Sequence, residues 1–279
     1  MFFQKNKVIF LLILILGVIL GAIAVVLLYG FNWSIIVESY QTQEGALGVI
    51  LIIGIRIIIV FLMSIYTFYT WFKQEKQFFS DIPFLFGIFF LLLIFGKLLD
   101  LFIDFTYFEL DSELLNLVAK TRYLLAIFDL LPMIYLSIYM ILISLSLKER
   151  FAKLSNERYL NKIRIWIVVI IISIEMFVCI FIINMEIAPI IYPLTILPSL
   201  IAIVWLFRFA WKNKRLSQVN THILMIGFGL YLITSIFRPL LQFIIGESPL
   251  FIILIESIDI IIFIIIFIGF YKKSNYPPD

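Results

Sequence analysis

The sequence has very little charge and contains one cysteine and one histidine. Of its 279 residues, 14% are charged and 64% are hydrophobic, whereas soluble domains are typically about one quarter charged. A single cysteine, Cys179, excludes an intrachain disulfide, and Cys179 and His222 together are too few for a zinc site built from such ligands or for a bis-histidine haem. They also offer no Cys/His nucleophile pair, so we predict a protein that is not an enzyme and has no cofactor, metal site or catalytic residues.

Long apolar segments make up most of the sequence. Each of eight runs is long enough to cross a hydrocarbon core of about 30 Å as a helix. Continuous runs rich in Leu, Ile and Phe favour helices over the alternating strands of a membrane barrel. The fold class we predict is an all-α integral membrane protein with eight transmembrane helices. The predicted spans are 8–30, 46–72, 82–107, 122–147, 165–185, 188–211, 223–245 and 250–271.

Lysine and arginine lie mostly at one end of the predicted spans. They cluster in 5–7, 73–76, 148–164, 212–215 and 272–273, whereas the opposite end carries only Lys120 and Arg122. Because cations near span ends are retained in the cytoplasm, both termini are expected to be cytoplasmic. The net charge of +3 therefore needs no nucleic-acid partner. The predicted organisation is an N-terminal basic segment and anchor helix (1–30), a seven-helix transmembrane bundle (46–272) and a short cytoplasmic tail (273–279).

Two points of this organisation stay open. Span 1 follows a basic segment, and Gly21-Ala22-Ile23-Ala24 offers a signal-peptidase site, although an apolar run of more than twenty residues favours an uncleaved anchor. The connections are too short to fold alone, so any output domain is expected on another chain. The loops 148–164 and 212–222 are the surfaces on which such a cytoplasmic signalling partner would dock.

Ionisable residues inside the spans share one depth, toward the predicted outer side. A charge at membrane depth costs about 2.5–3.5 kcal/mol on insertion scales, so these residues are expected to meet one another or water. Three cations stand against six carboxylates when Asp104, close to the surface, is included. The predicted ligand-binding residues are Arg56, Lys97, Asp100, Asp129, Glu175, Arg238, Glu256 and Asp259.

Three interpretations fit this pattern. In the first, an outward-facing polar cavity binds a small charged or zwitterionic molecule, as in a receptor. In the second, a proton-coupled transporter uses the same residues, with Glu175 as the coupling acid. In the third, charge pairs only hold helices together, although that role needs few charges and does not confine them to one level. A membrane-embedded enzyme is a further alternative, which the lack of a nucleophile–base pair disfavours. Asp100 and Asp104 match the Asp-xxx-Asp pattern of magnesium-dependent prenyl transferases. The pattern has no second copy here, and it lies on the predicted outer side and not on the cytoplasmic side from which those enzymes take their substrates.

Residues 64–150 resemble a known sensor region in layout. Span 2 ends in "SIYTFYTWFKQEKQ", span 3 ends in "GKLLDLF", and span 4 reads "TRYLLAIFDLLPMIYLSIYMI". This order is similar to the seven-transmembrane sensor region that precedes the kinase domain of archaeal and bacterial histidine kinases. The family's tryptophan and the kinase domain are missing here. The resemblance therefore implies a sensor-like module of the cell membrane that signals through a separate protein.

Overall fold

The computed structural model describes residues 2–75, 77–78, 80–107, 109–146, 148–184, 187–246 and 248–274. This part of the chain is helical and contains no strand. Lys76 and the tail residues 275–279, which belong to predicted features, lie outside the described residues. The helices are α1 (Phe2–Phe31), α2 (Trp33–Thr42), α3 (Ala46–Phe72), α4 (Ile82–Thr106), α5 (Ser112–Ser146), a 3-10 helix (Glu149–Ser155), α6 (Glu157–Phe181), α7 (Ala188–Lys212), α8 (Thr221–Ile245) and α9 (Pro249–Tyr271).

Eight of these helices, α1 and α3 to α9, are long and apolar enough to cross a membrane. The prediction of an all-α multi-pass membrane protein with eight such helices is confirmed. The start of α5 differs from its prediction, because the helix begins at Ser112 and not at residue 122. A carboxylate oxygen of Asp111 accepts a hydrogen bond from the Glu113 backbone N–H at 3.0 Å, which satisfies one of the free donors of the first turn.

Six of the helices form a closed ring. Neighbours around the ring are α3, α4, α5, α7, α8 and α9, and α9 returns to contact α3. Of the seven helices predicted as one bundle, six form this ring and α6 packs outside it against α5 and the 3-10 helix. The reason is visible on α6, where only Leu160, Arg164 and Cys179 are buried. On α1, the Tyr29 hydroxyl donates a hydrogen bond to the Leu98 carbonyl at 2.7 Å, so this helix lies against the outside of α4.

The two halves of the ring have opposite chemistry. One half contains the N-terminal parts of α4 and α8 and the C-terminal parts of α7 and α9, and a cluster of phenylalanine rings fills it. Ring centroids in this cluster lie 5.2–6.5 Å apart, and the side chains are almost completely buried. Its members, here called the phenylalanine core, are Phe86, Phe89, Phe90, Phe207, Phe228, Phe263 and Phe270. The other half carries the charged residues.

Candidate ligand-binding site

A cavity of about 110 Å³ lies in the charged half of the ring. All six ring helices contribute to its wall, and the polar wall includes the hydroxyl-bearing residues Tyr192, Tyr231, Thr234 and Ser235. The charged residues on its wall come from α3, α4, α5, α8 and α9, and we call this space the charged cavity. They are Arg56, Lys97, Asp100, Arg122, Asp129, Arg238 and Asp259.

Two carboxylates of α9 hold three cations from other helices. Glu256 accepts from Arg56 Nη1 at 2.5 Å through one oxygen and from Lys97 Nζ at 2.6 Å through the other. Asp259 Oδ2 lies 2.9 Å from Arg56 Nη1 and 2.7 Å from Arg238 Nη2. Because these residues are three positions apart on α9, both carboxylates face the ring interior. The ion pairs tie α9 to α3, α4 and α8.

A second ion pair joins α4 to α5. Asp100 accepts hydrogen bonds from two nitrogens of Arg122, Nε and Nη2, and the Nη2 contact is 3.1 Å long. Lys97 Nζ lies 3.6 Å from the same carboxylate, so it links the two groups of ion pairs. Arg122 Nη2 also donates to the Tyr192 hydroxyl at 3.1 Å, which brings α7 into the network.

Arg122 lies over α4 at a glycine. A Cβ added at Gly96 would lie 3.3 Å from Arg122 Nη1 and 3.4 Å from its Cζ, closer than side chains usually pack. The glycine therefore gives the guanidinium room to lie flat against α4. Arg122 Nη1 is buried and has no hydrogen-bond partner among the described residues.

Asp129 is a carboxylate of the cavity wall without a cationic partner among the described residues. Its side chain borders the cavity, and the residue is 5% exposed. The backbone N–H of Leu130 is close enough to donate a hydrogen bond to this carboxylate. Asp129 follows Arg122 by seven positions on α5, a spacing that places both on one face of the helix. An unpaired buried carboxylate is costly unless a cation, a proton or water accompanies it.

The structure brings seven of the eight predicted site residues together. Six of them border the charged cavity, and Glu256 lies directly behind Arg56 and Lys97 as their shared partner. Glu175 is the exception, because α6 lies outside the ring. Its carboxylate accepts a hydrogen bond from the Tyr123 hydroxyl at 2.7 Å and does not reach the cavity wall.

Sequence reasoning missed Arg122, which it assigned to the outer end of a span. The expected excess of three negative charges is corrected by the same finding. Arg122 adds a cation, Glu175 lies elsewhere and Asp104 is exposed, so four cations meet four carboxylates around the cavity. The signal that could have found Arg122 is its seven-residue spacing from Asp129.

Among the described residues, no three His, Cys, Asp or Glu side chains come together as a set that could hold a metal ion. Comparison of the chain with protein-family models, curated proteins and solved structures found no match. The resemblance to histidine-kinase sensor regions therefore stays a prediction.

Proposed function

We propose that this protein is a receptor-like sensor of the cell membrane that binds a small charged or zwitterionic solute in the charged cavity. The observation that carries the proposal is a void bordered by six helices whose wall contains Arg122 and Asp129. Among the described residues, Arg122 Nη1 has no hydrogen-bond partner and the Asp129 carboxylate has no cationic partner. A bound solute would satisfy both groups and would contact every helix of the ring.

Helix association alone does not explain this arrangement. Ion pairs that only hold helices together would not be stabilised by a neighbouring void or by polar groups without partners. Each buried polar group without a partner costs about 1–3 kcal/mol of stability. Arg56, Lys97, Glu256 and Asp259 are already paired with one another. Arg122 Nη1 and the Asp129 carboxylate take no part in these ion pairs, which is the arrangement a binding site needs.

A receptor is favoured over a transporter by what lies beneath the cavity. Arg56 Cζ lies 5.0 Å from the ring centroid of Phe263, so the phenylalanine core begins directly below the charges. A polar solute would have to disrupt that tightly packed core to leave through the other half of the ring. Glu175, the acid proposed for proton coupling, accepts a hydrogen bond from Tyr123 and does not line the cavity. Accumulation of a labelled solute by proteoliposomes would overturn this choice.

The test is stabilisation of the purified protein against heat by a panel of small carboxylates, amines and amino acids. The cavity is smaller than an engineered cavity of about 150 Å³ that holds benzene, so nucleotides serve as a size control that should not bind. Asp129→Asn and Arg238→Gln are expected to abolish the stabilisation. Glu175→Gln removes a carboxylate outside the cavity and should leave it unchanged. A panel without any binder, or equal loss in Glu175→Gln, would contradict the proposal.

The proposal also requires the charged half of the ring to face outward. In a Cys179→Ser background, a cysteine introduced in place of Glu44 should react with a membrane-impermeant maleimide on intact cells. One introduced in place of Lys153 should react only after the cells are opened, because the basic loops are expected in the cytoplasm. Both positions are exposed, which makes them a matched pair. The opposite labelling pattern would reverse the proposed orientation, and the signalling surfaces 148–164 and 212–222 with it.

A further inference from the structure

The charged cavity has one unused cationic donor and one unused carboxylate. Arg122 donates through Nε and Nη2 to Asp100 and through Nη2 to Tyr192, and its buried Nη1 has no partner among the described residues. Asp129 makes no ion pair with the part of the chain that the structure describes, although Arg122 is close enough to act on it electrostatically. The remaining charges around the cavity are paired with one another.

The balance of charge limits what the cavity can accept. Four cations and four carboxylates surround it, so a ligand with a net charge would leave one charge without compensation in a medium of low dielectric constant. A neutral molecule without charged groups would satisfy neither Arg122 Nη1 nor Asp129 with a charge-assisted hydrogen bond. A zwitterion satisfies both and keeps the sum of charges at zero.

Both groups lie on one face of α5, and this sets the orientation of the ligand. We infer that the ligand is a small zwitterion, such as a short amino acid, that places its carboxylate on Arg122 Nη1 and its ammonium group on Asp129. The size of the cavity keeps the ligand close to that of benzene or smaller, because a benzene-binding cavity measures about 150 Å³. Gly96 is part of this site, since a Cβ there would lie 3.3 Å from Arg122 Nη1 and crowd it.

This inference rests on the proposed function, and the experiment separates the two. Binding of β-alanine, propionate and propylamine to the full-length protein in lipid nanodiscs would be measured by calorimetry, with glycine and γ-aminobutyrate as shorter and longer zwitterions. The three principal probes share nearly the same carbon chain and differ in which charged ends they carry. At least one zwitterion should bind roughly tenfold or more tightly than propionate and propylamine, because a hydrogen bond to a charged group is lost with either end.

Two variants test the assignment of the ammonium group. Asp129→Asn keeps the shape of the side chain and removes no ion pair, and it should reduce zwitterion binding to the level of propionate. Glu175→Gln makes the same chemical change outside the cavity and should keep the preference for the zwitterion. The comparison of the zwitterions with propionate and propylamine is measured on the unchanged protein, so it tests the zwitterion preference even if Asp129→Asn does not fold.

The binding measurements distinguish a wrong ligand assignment from a wrong proposed function. If propionate or propylamine binds as tightly as every zwitterion, the zwitterion is wrong while a site for charged solutes stands. If Asp129→Asn keeps the preference for the zwitterion, the placement of the ammonium group on Asp129 is wrong. If no probe binds and the wider panel of charged solutes also fails, the inference and the proposed function both fall. Preference for a zwitterion that is lost in Asp129→Asn and kept in Glu175→Gln supports both.

Discussion

Replacing Glu256 with glutamine should destabilise the protein more than the same replacement at any acid outside the ring. Glu256 is 2% exposed and accepts from Arg56 at 2.5 Å and from Lys97 at 2.6 Å. Removing one partner of a buried ion pair typically costs about 3–5 kcal/mol, because the remaining charge is left uncompensated. Arg56 keeps Asp259 at 2.9 Å and Lys97 keeps Asp100 at 3.6 Å, so we expect a loss near the lower end, about 3 kcal/mol.

The assay is thermal unfolding in detergent micelles, with Glu175→Gln as the matched control. The control loses one hydrogen-bonded contact of a partly buried carboxylate and should cost about 1–2 kcal/mol. For a chain of this length, a loss of about 3 kcal/mol lowers Tm by roughly 6–12 °C. Adding Lys97→Met to Glu256→Gln should restore part of the loss, because it removes a cation left without its closest partner. An equal fall in Tm for Glu256→Gln and Glu175→Gln, or strict additivity of the double variant, would refute the reasoning.

Two further predictions concern packing around the cavity. Gly96→Ala should cost about 1–3 kcal/mol through crowding against the Arg122 guanidinium, whereas Gly54→Ala, whose added Cβ meets nothing within 4 Å, should be neutral or slightly stabilising. Equal Tm values for the two glycine variants would exclude the crowding. Phe89→Ala, at a fully buried position of the phenylalanine core, should cost about 3–5 kcal/mol. Phe177→Ala, at a position 58% exposed on α6, should change stability by less than about 1 kcal/mol, and a similar loss at both positions would argue against the packed core.

The spans could be predicted from sequence because a membrane crossing requires a minimum length of apolar helix, and that length is visible in the order of residues. The depth of Arg56, Asp129 and Asp259 could be predicted for the same reason, since position along a straight helix is a matter of counting. Their convergence followed from the high cost of charge facing lipid. Which acid pairs with which cation could not be predicted, because pairing depends on how the helices are rotated and how far apart they pack.

The locations of Arg122 and Glu175 could not be predicted by counting residues along the spans. Arg122 lies beside a predicted loop, and a cation near a span end is normally interpreted as an orientation signal. The early start of α5 at Ser112 places it well inside the helix instead. Glu175 has the right depth, but depth contains no information on whether a helix belongs to the ring or lies outside it. Only the packing of α6 against α5 decides that.

The contact between α3 and α9 has a consequence for biosynthesis. Arg56 and its partner Glu256 are 200 positions apart in the chain. During translation, Arg56 must therefore enter the bilayer long before its acids Glu256 and Asp259 have been made, and Lys97 has only Asp100 as a partner until then. The charge of Arg56 therefore stays without its carboxylate partners until α9, the final helix, is inserted. We expect the insertion machinery or lipid headgroups to compensate these positive charges until then. We also expect ribosomes stalled before α9 to yield a product that quality-control proteases degrade.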